Sequence, residues 1–538
     1  MTAPPPATVP GSDPAAVLAR VVDFSTAKEA WPRRLWDFGA VLSLKELRES
    51  CSWVAEGALR QPSVDWQKAR LQPRLGPDAG LGAGPLRREL IELLKGPLVA
   101  PSSQWRRLAD LIEMAELGYL DRHAAALDAR GSTSVERLAR ILAAHLLDAG
   151  LSMPAVRRWA VGHVGGAATT SDLLRDAQAL ADRGPRQFEV LLPCSRIPHR
   201  QTLAEGVPSF RPRSQALRWL TEHGHAPLTE LDGAFCFTVE ARDPLAAADQ
   251  ARELAERLLA RDAFGADRKN LQLADTVYAE GVEAPLPLTR PSRHGRIPSL
   301  HHEAQLYTVT AERGRLDAAL ELAAPLNHGP IAPAVSGAWA AVESLLFSAA
   351  DAETDERGRV VVASRLARLV ACSWPRAELT ALSYRLALGL DTALDERLER
   401  AGSNQERAAV LERALVAGTP ARPAAGGRHA SDACALQRMR LLAADPLTGL
   451  KEAADVFEVA FRRLYRSRNV IAHAGATAAL SHDATLRVTA PLVGAGLDRV
   501  AHAYLVRGVD PLALAAQAEN SLLLVGADPG RGLTTLLE

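Results

Sequence analysis

Arg468, Asn469 and His473 stand in the run Leu464-Tyr465-Arg466-Ser467-Arg468-Asn469-Val470-Ile471-Ala472-His473-Ala474-Gly475, which sets a guanidinium five positions and an amide four positions before an imidazole. A guanidinium grips phosphate through a planar fork of N–H donors. An imidazole, with an ordinary pKa of about 6.5, exchanges a proton near neutrality. Together they supply what cleavage of an RNA phosphodiester needs: a base for the 2′-hydroxyl or an acid for the leaving oxygen, and positive charge for the phosphorane-like transition state. That chemistry calls for no metal ion and no cofactor. Arginine followed five positions later by histidine is uninformative alone, because it recurs at Arg140/His145, Arg158/His163, Arg218/His223 and Arg296/His301. The asparagine makes the difference: with 57 Arg, 5 Asn and 14 His in 538 residues, random placement yields Arg-Asn-x-x-x-His about 0.01 times. It occurs once.

These residues need a helix to position them. Ala453, Phe457, Ala460, Leu464 and Ile471 recur as the apolar stripe of a helix over 453–473, while Arg462, Arg466, Asn469 and His473 fall at i, i+4, i+7 and i+11 on another face. One face is expected to pack and the other to present cations, with Arg462 and Arg466 as candidate RNA-binding residues. Arg468 stands off that polar stripe: five residues turn a helix by roughly 500°, leaving it about 140° from His473. Pairing the two requires bending, a helix end at Ala474-Gly475, or a second copy of the chain. The competing reading is a polar helix face in which Asn469 is structural and His473 interacts with the helix dipole.

The pattern Leu464-Tyr465-x-x-Arg468-Asn469-x-x-x-His473-x-Gly475 resembles the HEPN family, in particular its larger branch in prokaryotic defence proteins. Trp339-Ala-Ala-Val-Glu343-Ser-Leu-Leu346 is similar to that branch's opening helix, which carries an acidic residue near the site. The resemblance covers about 331–508 and implies an all-helical bundle that dimerises so that two motifs face each other across one metal-independent endoribonuclease site. It also implies the roles: His473 for general acid-base work, Arg468 to stabilise the phosphate, and Asn469 to orient the phosphate or the imidazole. Glu343 would hold His473 or Arg468 by a charge-assisted hydrogen bond. The family's habits imply RNA as partner and a toxin or phage-defence role, although some members only bind RNA or dimerise. The chain departs from the pattern in the long stretch 379–444 and in lacking a tyrosine two residues after His473.

The rest of the chain reads as mainly α. A length of 538 residues with 47% hydrophobic and 23% charged side chains suggests two to four domains with ordinary cores. The net charge of +0 gives no overall pull toward DNA or anionic membrane. The five cysteines are scattered and never form Cys-x-x-Cys, which points to buried free thiols and away from a disulfide framework or a cysteine-rich zinc site. Residues 1–15 lack the pattern of a secretory leader, and no apolar run approaches a membrane span, so a cytoplasmic location without membrane contact is the default.

Along the chain we expect a disordered lead over 1–15, a helical N-terminal region over 16–185, and a small α+β module with its linker over 186–323. The HEPN-like helical domain over 331–508 and a C-terminal helix and tail over 509–538 follow. The glycine-rich stretch 76–85 matches neither a Walker loop nor Gly-x-Gly-x-x-Gly. Helices over 134–147 and from Pro154, joined by a short turn capped at Ser152, resemble a helix-turn-helix, with Arg157 and Arg158 available to DNA. An ordinary helical hairpin with Trp159 packed inward is the favoured reading. In the module, 188–193, 233–239 and 271–278 read as strands and 245–260 as a helix. His223, His225, His301 and His302 lack a carboxylate at ligand spacing. In the last third, helices are expected over 360–373, stopped before Pro375, over 379–388 and over 405–415. Residues 418–427 read as an exposed loop, and 447–449 as a lead into the motif helix.

Overall fold

The computed structural model describes residues 13–538 apart from 28, 131–132, 199–202, 204–205, 266–269, 310, 353–356 and 528–531. The predicted 1–15 lead therefore falls almost wholly outside the described residues, and a helix begins by Pro14. Nine helices, α1 (Pro14–Phe24), α2 (Ala40–Ala55), α3 (Gln61–Leu75), α4 (Pro85–Lys95), α5 (Ser103–Glu116), α6 (Tyr119–Arg130), α7 (Val135–Asp148), α8 (Met153–Gly162) and α9 (Thr170–Asp182), build the described N-terminal region. Their starts are written locally: the side chains of Asp13, Ser102, Ser134, Ser152 and Thr169 each accept a backbone N–H of the following first turn.

Six antiparallel strands follow: β1 (Arg186–Arg196), β2 (Phe210–Pro212), β3 (Gly233–Ala241), β4 (Gln272–Leu273), β5 (Thr276–Ala279) and β6 (Leu286–Pro287). They are ordered β2-β3-β1-β5-β6, with β4 also beside β1. β1 is central and its middle, from Val190 to Cys194, is buried, with Phe188, Val190 and Leu192 on one face against the helix Pro244–Asp262 and Leu191 on the other. The stretch expected as one strand over 271–278 is two short ones.

The last third is helical, as its periodicity implies, and mainly α is the class of the whole chain. Three boundaries differ from expectation. The helix Arg357–Ser383 runs straight through Pro375. A proline removes one N–H and crowds the preceding turn, but Trp374, Leu379 and Leu382 around it are buried in the core, and that packing holds the helix. The motif helix begins at Pro446, so residues 447–449 form its first turn, where Asp445 Oδ1 accepts from the Thr448 N–H at 3.2 Å. Within 418–427, Ala421 is buried and Pro423 bridges to Leu386, so that stretch is partly folded inward and 384–388 is not helix.

The N-terminal and C-terminal helical regions share their interiors. The C-terminal core, built on Trp339, Phe457, Phe461 and Leu464, takes in Trp36, Phe38 and Leu42 from the chain's start. Between the regions runs a buried ionic network: Arg20 reaches Glu136 at 2.8 Å, Arg33 reaches Glu378 at 2.8 Å and also Asp432, and Arg438 joins Glu378 at 3.2 Å. Buried guanidiniums and carboxylates placed this way satisfy one another where water cannot.

Trp339 is fully buried with its ring 4.7 Å from that of Tyr465 on the motif helix, and its indole Nε1 has no partner among the described residues. Trp339→Ala should cost about 3–5 kcal/mol. Trp339→Phe, which keeps an aromatic ring and deletes the orphan donor, should cost about 1.5 kcal/mol or less. Urea denaturation midpoints of the two variants check this; equal losses would mean the site tolerates no repacking. No helix among the described residues is long and apolar enough to cross a membrane.

Candidate functional site

The motif helix spans Pro446–Ala474 and stops at Gly475, whose φ of 64° is left-handed and whose N–H donates to the Ile471 carbonyl at 3.1 Å. Glycine adopts this conformation without a Cβ penalty. A Cβ there would meet nothing within 4 Å, so strain is the only cost of adding one. Gly475→Ala should therefore lose about 1–2 kcal/mol, measurable by thermal denaturation; an unchanged midpoint would show that the helix end relaxes freely.

This ending leaves His473 exposed in the last turn, with no side-chain hydrogen bond among the described residues, while Arg468 and Asn469 are half-buried one turn earlier. Arg468 Nη1 donates to Asn469 Oδ1 at 3.1 Å, and no carboxylate pairs with that guanidinium among the described residues. The amide thus holds the arginine without neutralising it. An unneutralised cation can bind a phosphodiester and an accessible imidazole can shuttle its protons, but five residues of helix leave these two side chains on different faces of one helix.

Other candidates sit elsewhere. Glu343, on the helix Ile331–Leu346, pairs at 3.2 Å with Arg359 at the start of the next long helix, and hydrogen-bonds to neither Arg468 nor His473. The two helices do meet, but through Trp339 and Tyr465, one turn before Glu343. Arg462 donates to Glu458 at 2.7 Å and lies 4.3 Å from the Trp66 ring centroid, so its guanidinium is already stacked and paired.

Arg466 corrects the expected outward polar stripe. It is 6% exposed and donates to Glu46 Oε1 at 3.0 Å, and its neighbour Arg463, 3% exposed, pairs with the same carboxylate. Arg463 and Arg466 reach across to helix α2, where Glu46 draws both cations inward. Burial alone would push the Glu46 carboxyl upward, but the two guanidiniums outweigh it and hold it at about 2. No sequence signal within the motif could announce this, since Glu46 lies 417 residues from Arg463.

In the helical hairpin α7–α8, Arg157 and Arg158 are exposed, while the half-buried Trp159 ring donates to Asp176 at 2.6 Å. Asp243 accepts from both the Ser152 N–H and the Ser152 hydroxyl at 2.8 Å, which puts an acid from the β3 end at the start of α8. A recognition helix meets base edges with its N-terminal residues, so this end of α8 is poorly suited to that task. The His223 ring stacks on Trp219 at a centroid distance of 3.9 Å, with His225 nearby. No group of three or more His, Cys, Asp and Glu among the described residues is placed to hold a metal ion. All five cysteines are buried and none is in a disulfide. Compared with protein-family models, with curated proteins and with solved structures, the chain shows no match in any of the three.

Proposed function

We propose that this chain is a metal-independent endoribonuclease of HEPN type, acting as a toxin or phage-defence effector, with its N-terminal helices and sheet module sensing or recruiting. The observation that carries the reading is the helix end at which an accessible His473 follows an Arg468 held by Asn469 and paired with no carboxylate among the described residues. In this reading Arg468 binds the scissile phosphate and stabilises its developing charge, and His473 takes the 2′-hydroxyl proton or protonates the leaving oxygen. Asn469, through its carbonyl oxygen, fixes the guanidinium. Because Arg468 and His473 diverge around the helix axis, two copies of the motif helix from a homodimer complete one site.

The test is incubation of the purified full-length protein with total RNA in EDTA. Cleavage that leaves 2′,3′-cyclic phosphate or 3′-phosphate ends is expected. RNA left intact by a protein that binds it would assign the chain to the catalytically silent, RNA-binding or dimerising type. Cleavage that vanishes in EDTA would remove the metal-independent mechanism.

A further inference from the structure

The segment that joins the sheet module to the C-terminal helices carries Arg293, His294 and Arg296. Asn327 fixes its path. The Asn327 carbonyl oxygen accepts from the Arg293 N–H at 3.0 Å, and the Asn327 side-chain amide exchanges hydrogen bonds of 2.8 and 3.2 Å with the Gly295 backbone. The segment then lies directly on the helix His482–Arg507, where a Cβ on Gly494 would meet Gly295 Cα at 2.7 Å. His294 is held in this bend at a φ of 61°. A non-glycine residue kept in the left-handed region stores strain, which folds retain mainly where position matters to function.

Arg34, just after the short turn Trp31–Arg33, ends against this bend. It is 5% exposed, and its one side-chain hydrogen bond among the described residues runs from Nη1 to the Arg293 carbonyl oxygen at 3.5 Å. No carboxylate pairs with it there: Glu29, the acid whose charge reaches Arg34, is held through both oxygens by Arg428. Arg33 next door shows the contrast, with Glu378 and Asp432 on its guanidinium. Arg34 Nε and Nη2 have no hydrogen-bond partner among the described residues and, unlike Arg33 Nη2, are not sealed from solvent. A buried guanidinium with open N–H groups and no counter-charge lacks an acceptor.

Two further groups stand at the same place. The half-buried His294 ring and the exposed Arg296 guanidinium also make no hydrogen bond among the described residues. They act on one another and on Arg34. Burial and then Arg296 lower the Arg34 guanidinium to about 10, while burial and then Arg34, Arg296 and His328 lower the His294 imidazole to about 4. His328, exposed nearby, spends its Nδ1 on the Arg290 carbonyl oxygen at 3.0 Å. Repulsion of this kind is relieved by an anion.

We propose that Arg34, His294 and Arg296 bind a phosphate-type oxyanion, free or as a phosphate monoester. The planar fork of Arg34 takes two oxygens, the His294 ring donates to a third, and Arg296 covers the anion from the solvent side. The proposal does not rest on the ribonuclease reading, because it is read by binding and uses none of Arg468, Asn469 and His473.

Isothermal titration calorimetry of the full-length protein in EDTA at low ionic strength, with inorganic phosphate and with glycerol 3-phosphate, tests it. One-site binding with a dissociation constant below about 1 mM is expected for at least one of them, and the tighter of the two identifies the source. Arg296→Ala, at an exposed position, should weaken binding by about 10-fold. Arg34→Met should abolish it without lowering the melting temperature in phosphate-free buffer, because the substitution deletes a buried charge that no carboxylate offsets. His294→Gly, which releases the left-handed strain, should melt no lower than wild type yet bind about 10-fold more weakly. Arg158→Ala, on the surface of α8, should leave binding unchanged. No binding of either ligand at about 10 mM would overturn the proposal, as would binding retained in Arg34→Met or an equal loss in Arg158→Ala. An oligoribonucleotide with hydroxyl ends that displaces phosphate with higher affinity would assign these cations to a nucleic-acid backbone and overturn it too.

Discussion

His473→Ala is expected to reduce RNA cleavage by about 10²–10⁴-fold, the usual effect of deleting a general acid-base group. The fold should not suffer, because His473 is exposed and makes no side-chain hydrogen bond among the described residues. Cleavage assays on wild type and variant, normalised to protein with the same denaturation midpoint, read the effect directly. Cleavage that survives the substitution would sink the assignment of His473 and, with it, the nuclease reading. Arg468→Lys sharpens the result. Lysine keeps the charge but loses the planar fork, and it cannot hold the Asn469 carbonyl oxygen and a phosphate in the same plane. A lysine variant as active as wild type would leave Arg468 a point charge only, and Asn469 would lose its positioning role.

Local features were the legible ones. The motif helix, its end at Gly475, the capped starts of the N-terminal helices and the two longest strands all follow from spacing, turn chemistry and caps within a few residues. What escaped depends on distance. Arg466 reads as a solvent-facing cation because it shares a stripe with Asn469 and His473, and only Glu46 on α2 turns it inward. Glu343 reads as a helper to the motif because its segment resembles the family's opening helix with an acidic residue near the site, yet Arg359 takes its carboxylate. Pro375 reads as a stop, since local propensity opposes it, and core packing of Trp374 and Leu379 overrides that propensity. The buried network through Arg20, Arg33, Glu136 and Glu378 is illegible for the same reason, because each pair joins helices far apart in sequence.

Glu46→Ala should be the most damaging single substitution for stability at the motif helix. Glu46 is 5% exposed and is the shared counter-charge of Arg463 and Arg466, whose buried Nη1 and Nε respectively have no partner among the described residues. Removing one side of a buried ion pair strands the other charge, at a cost of about 3–5 kcal/mol. Two guanidiniums are stranded here, so the upper end of that range applies. The same carboxylate gives an acid signature. Its folded-state pKa of about 2 lies below the ordinary 4.5, so its stabilising contribution is complete above pH 4.5 and is lost as the pH falls toward 2. That difference corresponds to about 3 kcal/mol, the same order as the cost of removing the side chain. In Glu46→Gln, which keeps shape but not charge, stability between pH 4.5 and 2 should fall less steeply than in wild type. Chemical denaturation across that window, with both proteins at one ionic strength, decides it. Parallel acid limbs would show that Arg463 and Arg466 find their counter-charge elsewhere. A shallower limb, with the loss at neutral pH, would establish that α2 fastens the motif helix through this one carboxylate.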